Sequence, residues 1–124
     1  MNQAPIFSVC AANGGVKAVL GSNPTRLYPA GQAPQGVIKP YATWQVISGN
    51  PLNYLAGAPD TDDYRLQVDV YADDPGAVNV VANAIMSAIQ NQAYVLNYNG
   101  DGRDKETGDY YFGFDIGWIV TAAG

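Results

Sequence analysis

The sequence contains no histidine and a single cysteine, Cys10, among its 124 residues. The lack of histidine excludes Ser-His-Asp and Cys-His catalysis and removes the commonest transition-metal ligand. A lone cysteine forms no internal disulfide, so the fold does not depend on an oxidising compartment. Cys10 falls on the apolar side of a predicted helix, where we expect it to pack as a small hydrophobic side chain.

Charged residues are also scarce, at 14% of the chain, and acids outnumber bases by 11 to 6. The net charge of −5 argues against a phosphate-binding surface. Long hydrophobic runs are absent as well, which excludes a membrane span and gives no support for a signal peptide. We therefore expect no membrane partner and a protein made in the cytoplasm. The 48% hydrophobic content excludes charge-rich disorder.

The first third of the chain is predicted to be irregular. Apolar residues recur at helical spacing over residues 4–20, interrupted by Gly14-Gly15, which predicts two short helical segments. Residues 21–24 end them. A short extended segment at 25–29 is followed by a loop at 29–40, which is rich in proline and glycine.

Alternating β-formers then predict two strands, at 41–48 and 63–71. In the first, Ala42, Trp44 and Val46 share one side, and Ser48 to Pro51 form the end. In the second, the apolar side is formed by Tyr64, Leu66, Val68 and Val70. A loop at 49–62 separates the two strands.

The last part of the chain predicts a helix and two more strands. An Asp-Asp-Pro sequence at 73–75 is typical of a helix start, and apolar spacing extends the helix to about residue 91. A short strand at 94–98 and a polar turn at 99–108 follow. The final strand, at 109–121, has a continuous apolar face formed by its even-numbered residues.

These elements predict a single domain covering residues 1–124 with an α+β fold. The sheet is expected to be mostly antiparallel, with four to five strands. One long helix and a short N-terminal helical segment should pack on one face of that sheet, with the aromatic-rich final strand beneath the long helix.

Acidic residues are the main candidates for chemistry, because six aspartates lie between positions 60 and 74. Paired carboxylates serve hydrolases or hold Ca²⁺, but turns and helix caps also favour aspartate. Residues 97–102 resemble the first half of a calcium loop, yet Gly108 stands where the bidentate glutamate is required. A hairpin turn accounts better for Asn-Gly and Asp-Gly. We therefore expect no catalytic residue, no metal and no cofactor.

The loop at 49–62 is long and contains apolar and aromatic side chains. Such loops are functional or disordered, and disordered loops tend to lack aromatic residues. Leu52, Tyr54 and Leu55 either fold back on their own domain, as in an Ω-loop, or dock on a neighbouring subunit. The physical argument leaves both alternatives open.

Two consecutive runs resemble a known family. They are Pro40–Gly57 (PYATWQVISGNPLNYLAG) and Asp62–Ala72 (DDYRLQVDVYA). They resemble the tail-completion, or tail-terminator, proteins of long-tailed bacteriophages and related prophages. In that family a strand ends in a Ser-Gly turn, followed by an Asn-Tyr-Leu loop and a strand of the form x-Val-Asp-x-Tyr before a helix.

The resemblance extends over about residues 16–90, and the final strand matches by position and pattern. Upstream, Leu27-Tyr28-Pro29 and Ala33-Pro34-Gln35-Gly36 match the usual lead-in of the family. The polar turn at 97–109 and the Gly14-Gly15 pair depart from it.

The resemblance implies a non-enzymatic assembly protein that forms a hexameric ring on the end of a tail tube. Such a ring stops tube polymerisation and presents a surface for joining to the head. The implied partners are other copies of the chain, the major tail tube protein and a head-tail connector or head-completion protein. The implied location is the head-proximal end of the virion tail, reached from the host cytoplasm during assembly.

The implied ring suggests roles for two groups of residues. A subunit or partner interface is expected from Asn50, Pro51, Leu52, Asn53, Tyr54 and Leu55. DNA must pass through the ring without specific binding, and an acidic lumen repels phosphate. The lumen-facing candidates lie on the polar sheet face beside Gln67 or in the turn at 60–63: Asp60, Asp62, Asp63, Asp69 and Asp115.

Two alternatives remain at this point. The nearer one is another neck component, such as a head-closure or adaptor protein, because fold-level analogy does not fix which face binds which partner. The more distant alternative is a small acidic domain that binds a metal or another ligand through the aspartate-rich loop.

Overall fold

The computed structural model describes residues 5–22, 25–51 and 61–121. Within these ranges the chain forms three helices and five strands. In chain order they are α1 (Ile6–Ala12), α2 (Gly14–Leu20), β1 (Leu27–Pro29), β2 (Tyr41–Pro51), β3 (Thr61–Ala72), α3 (Pro75–Ile89), β4 (Ala93–Arg103) and β5 (Tyr110–Thr121).

The strands form one sheet in the order β1-β2-β3-β5-β4. β1 runs parallel to β2, and the other neighbouring strands run antiparallel. β5 therefore lies between β3 and β4, although it follows β4 along the chain. The predicted α+β fold, with a mostly antiparallel sheet of four to five strands, is confirmed.

The three helices cover one face of this sheet. The even-numbered side chains of β3 and β5 point to that face, as the two-residue period of a strand requires. Those of Leu66, Val68, Phe114, Ile116 and Trp118 are almost completely buried. They pack with apolar side chains of α3 and of the N-terminal helices, among them Val81, Ile85, Ile6 and Leu20. Removal of this apolar surface from water is the main stabilising contribution, at about 25 cal/mol per Å².

Side-chain caps fix the starts of two helices. The Asp74 carboxylate accepts a hydrogen bond from the Ala77 backbone N–H at 3.0 Å, and Pro75 begins α3 as predicted. The Asn13 side chain accepts from the Val16 N–H at 3.1 Å and begins α2. Gly14-Gly15 therefore lies in the first turn of α2. The two helices are separated at Asn13, whose backbone is extended.

β2 and β3 are both longer than the sequence predicts. Residues 48–51 were expected to end the first strand, but Ser48 pairs with Arg65 and Pro51 pairs with Asp62. Pairing along the β2–β3 hairpin keeps both segments extended beyond their local turn signals. Val46 pairs with Leu66 and so lies on the same side as Ala42 and Trp44, as expected, but it is 46% exposed.

The polar turn at 99–108 was placed wrongly. β4 continues through Asn-Gly and Asp-Gly to Arg103 and pairs with β5 over this length, with register shifts at 95–97 and 98–100. The turn lies at 104–109, where the Asp104 carboxylate accepts from the backbone N–H groups of Glu106 and Thr107. Gly108 adopts a φ of 77°, which favours glycine.

An ion pair fastens the connection between β1 and β2 to the rest of the fold. The Lys39 ammonium group donates to the Asp109 carboxylate, which is largely buried, and lies 3.5 Å from a carboxylate oxygen of Asp73. These contacts raise the pKa of Lys39, the hydrogen bond to Asp109 being the largest cause. Lys39 thereby joins the loop at 30–40 to the start of β5 and the end of β3.

Candidate functional site

The sheet face opposite the helices carries a polar cluster at its centre, and we call this face the open face. It presents the odd-numbered residues of β3 and β5. Gln67 lies directly opposite Asp115, and Asp69 lies opposite Gly113. The strands therefore bring together Gln67, Asp69 and Asp115, which the sequence analysis assigned to one polar sheet face.

Each carboxylate of this cluster is held by an amide side chain. The Gln67 Nε2 donates to Asp69 Oδ2 at 3.0 Å. The Asn99 Nδ2 donates to Asp115 Oδ1 at 2.7 Å, and the Asn97 Nδ2 donates to Asn99 Oδ1 at 3.2 Å. The hydrogen bonds fix the direction of two negative charges on neighbouring strands.

Two glycines of β5 allow side chains of the neighbouring strands to lie directly against the β5 backbone on the open face. A Cβ atom on Gly113 would lie 2.7 Å from Asp69 Oδ1, and one on Gly117 would lie 2.6 Å from the Cζ of Tyr94. Side chains of β3 and β4 therefore cross over β5 at positions where a larger residue would exclude them. At these two positions β5 contributes only backbone, and the neighbouring strands contribute the side chains.

The environment of Asp69 raises the pKa of its carboxyl group above the ordinary value for aspartate. Burial raises the pKa of this carboxyl, the hydrogen bond from Gln67 lowers it, and the negative charge of Asp115 raises it further, with a net upward direction. The charge of Asp115 therefore affects the pKa of Asp69, and negative charge is concentrated at the centre of the open face.

Aromatic rings border the polar cluster. Tyr41 and Tyr71 stack with their ring centroids 5.0 Å apart and an interplanar angle of 22°. The pKa of Tyr71 is raised, mainly by burial and then by the charge of Asp69. The open face is therefore a polar patch with aromatic borders, an arrangement suited to surface recognition.

Not all predicted site residues fall in this patch. Asn50 and Pro51 lie in β2. Asp62 and Asp63 lie in β3, although a turn was expected at 60–63. The predictions for Leu52, Asn53, Tyr54, Leu55 and Asp60 lie outside the described residues. Arg65 is exposed on the open face two positions from Gln67, so this face is not uniformly acidic.

The amide residues Asn97 and Asn99 were not predicted as site residues, because the local pattern assigns them to a strand end and a turn. Their two-residue spacing was the available signal, since such spacing puts both side chains on one face of a strand. Tyr94 was missed as a site residue for a different reason, because its place over Gly117 depends on the register of β4 against β5.

Other classes of site find no support in residues 5–22, 25–51 and 61–121. In these ranges no three Cys, Asp or Glu side chains come close enough together to hold a metal ion. The helices within the same ranges are too short or too polar to span a membrane. Cys10 is buried, and burial raises the pKa of its thiol to about 12.

Comparison with known proteins identifies a family and similar solved structures. The family model described as "Tail completion protein gp17" matches residues 4–121. Among solved structures, the chain is similar to a protein chain in the "Virion of native gene transfer agent (GTA) particle", with a TM-score of 0.67 and 13% sequence identity. That match covers 94% of this chain and 92% of the other. No curated protein sequence matches significantly.

Proposed function

The chain belongs to the tail completion protein gp17 family, and on that premise we propose that it caps the head-proximal end of a phage tail tube as a hexameric ring. The ring stops polymerisation of the tube and presents the surface to which the head is joined. Its partners are other copies of the chain, the major tail tube protein and the head-tail connector or a head-completion protein.

The family match over residues 4–121 is the observation that carries this proposal. It supports a structural role in tail assembly and favours that role over a metal-binding domain. The likeness to a chain of the gene transfer agent particle concerns the fold and is compatible with a virion component. The polar open face and the low charged fraction of the chain, 14%, agree with a binding role better than with catalysis.

Light scattering across a concentration series tests the ring. We expect a mass six times the 13.1 kDa of one chain. Electron microscopy of tail tubes assembled with and without the protein tests the capping role. Tubes of uniform length that carry the protein at one end are expected. Tubes that grow equally long in its presence would contradict the proposal.

We place the open face of each subunit toward the central channel. The carboxylates of Asp69 and Asp115 would then repel the DNA phosphates, and the nearby cation of Arg65 would weaken that effect without reversing it. Asp69→Lys/Asp115→Lys is expected to give the assembled ring measurable, salt-dependent affinity for DNA by fluorescence anisotropy. Glu106→Lys, in the exposed turn, is the control. Equal DNA affinity of the double variant and the control variant would contradict an open face that lines the channel.

Residues 50–55 are proposed to contact a neighbouring subunit or the tube. Asn50 and Pro51, the first two residues of this segment, lie at the end of β2. Tyr54→Ala should weaken assembly in a light-scattering titration, because a large aromatic contact is lost. The circular dichroism spectrum and thermal midpoint should stay near those of the wild type. Loss of the fold would indicate that Tyr54 packs on its own domain.

A further inference from the structure

The outer edge of β2 is unpaired beyond its first few residues in the part of the chain that the structure describes. β1 covers β2 from Ala42 to Trp44, where the Ala42 N–H donates to Arg26 O and the Trp44 carbonyl accepts from Ala30 N–H. Strand alternation turns the backbone groups of Val46 toward the same edge. Val46 and Ile47 are each 46% exposed. β2 therefore presents a free and apolar edge.

β4 forms the opposite edge of the sheet, and its first half is mainly apolar. Residues 93–98 contain no charged residue and no proline, which are the usual devices that prevent edge strands from pairing. Tyr94, Leu96 and Tyr98 are 49%, 40% and 60% exposed. The register shifts of β4 begin after Val95, so its first residues remain regular.

The two free edges lie at the same level of the sheet and have matching direction. Cross-strand pairs connect Val46 to Leu66, Leu66 to Ile116 and Ile116 to Val95. β2 and β5 run one way, and β3 and β4 run the other. A β4 edge placed beside the β2 edge of another copy would therefore pair antiparallel, the slightly more stable arrangement.

Side chains next to the edges are complementary too. An apolar pocket beside β1 and β2 is lined by Phe7, Leu27, Pro29 and Trp44, and among the described residues the buried indole Nε1 of Trp44 has no hydrogen-bond partner. Tyr98 lies in the same row of the sheet as Trp44, at the far edge. A tyrosine provides both an apolar ring and a hydroxyl that accepts a hydrogen bond.

We propose that the β4 edge of one copy pairs antiparallel with the free β2 edge of a second copy of this chain. The inference rests on the proposed ring and names the contact that builds it. Each copy uses two different edges, so the contact is heterologous and closes by rotation into a ring. The strands of neighbouring copies then form one continuous sheet, and Tyr98 meets the pocket beside Trp44.

Two charge substitutions at exposed positions test the pairing, one on each edge. Val46→Lys should block the β2 edge, and Leu96→Lys should block the β4 edge, because each introduces a lysine into the contact. Val80→Lys is the matched control, since Val80 is 56% exposed on α3. Molar mass is measured by light scattering for each variant alone and for equimolar mixtures, with circular dichroism as the check of folding.

We expect each edge variant alone to be monomeric and Val80→Lys to assemble as the wild type does. A mixture of the two edge variants should give dimers that grow no further, because the mixture retains one intact edge of each kind. Assembly of either edge variant alone, or a mixture that stays monomeric, would overturn the edge pairing. Neither result would contradict the proposed ring. A wild-type chain that is monomeric at millimolar concentration would also overturn the edge pairing, and tube capping would then decide the proposed function separately.

Discussion

The carboxylate of Asp69 occupies the space that a side chain on Gly113 would need. The two residues are cross-strand partners on β3 and β5, and the missing Cβ would lie 2.7 Å from Asp69 Oδ1. Gln67 holds the same carboxylate from its own strand. The polar centre of the open face therefore depends on a glycine that carries no chemistry itself.

Gly113→Ala should destabilise the protein, because the new methyl group displaces the Asp69 carboxylate and disturbs its hydrogen bond to Gln67. We expect a loss of about 1–3 kcal/mol in the free energy of unfolding, measured with urea. The same substitution in an Asp69→Ala background should cost much less. A double-mutant cycle with no coupling between the two positions would contradict the proposed clash.

The raised pKa of Asp69 makes a prediction about pH. At pH values between the ordinary pKa of aspartate and the raised pKa of Asp69, the folded protein binds a proton at Asp69 more readily than the unfolded chain does. Asp69 therefore opposes folding at neutral pH, and this penalty disappears as the pH falls through the folded-state pKa. Asp69→Asn should thus be more stable relative to the wild type at pH 7 than at pH 4. Urea unfolding at both pH values measures this, with the exposed Asp101→Asn as control.

The contacts of Lys39 predict unequal effects for its two acidic partners. Asp109 is almost completely buried beside Lys39, so Asp109→Asn should cost about 2 kcal/mol in the free energy of unfolding. Asp73 is 80% exposed at its side chain, so Asp73→Asn should cost about 0.5 kcal/mol or less. Thermal or urea unfolding compares the two variants. Equal losses would show that the ion pair does not fasten the loop at 30–40.

The Cys10 thiol should be unreactive in the folded protein. It is buried, and its pKa is raised to about 12, so little thiolate forms at pH 8. A colorimetric disulfide reagent should modify it only after urea is added, and in step with the unfolding transition. Fast modification of the native protein would mean that the helical layer opens readily.

The sequence predicts those parts of the fold that depend on local pattern. Alternation alone placed Leu66, Val68 and Phe114 in the core, and an aspartate followed by proline marked the start of α3. Both signals act within a few residues, so no knowledge of neighbouring strands is required. The central acidic residues of the open face follow from the same alternation.

The remaining differences come from pairing over long distances. Asn99 to Gly102 carry strong local turn signals, yet they remain in a strand because β5 pairs with Tyr98 before them and with Gly100, Asp101 and Gly102. The contacts of Asn99 with Asp115 and of Tyr94 with Gly117 depend on that register. No pattern within β4 determines which residue of β5 it faces.

The position of β5 has a consequence for how the protein folds. β5 separates β3 from β4, although both are made before it. As the chain leaves the ribosome, β3 has only β2 beside it and β4 has no neighbouring strand until β5 has been synthesised. The pairing of β5 with β3 and β4 must therefore form late, and the β3–β5 contacts join residues that are distant in the chain, which slows folding. A chaperone that shields the unpaired edges of β3 and β4 until β5 is made should raise the yield of folded protein. The stability of the folded protein should stay the same.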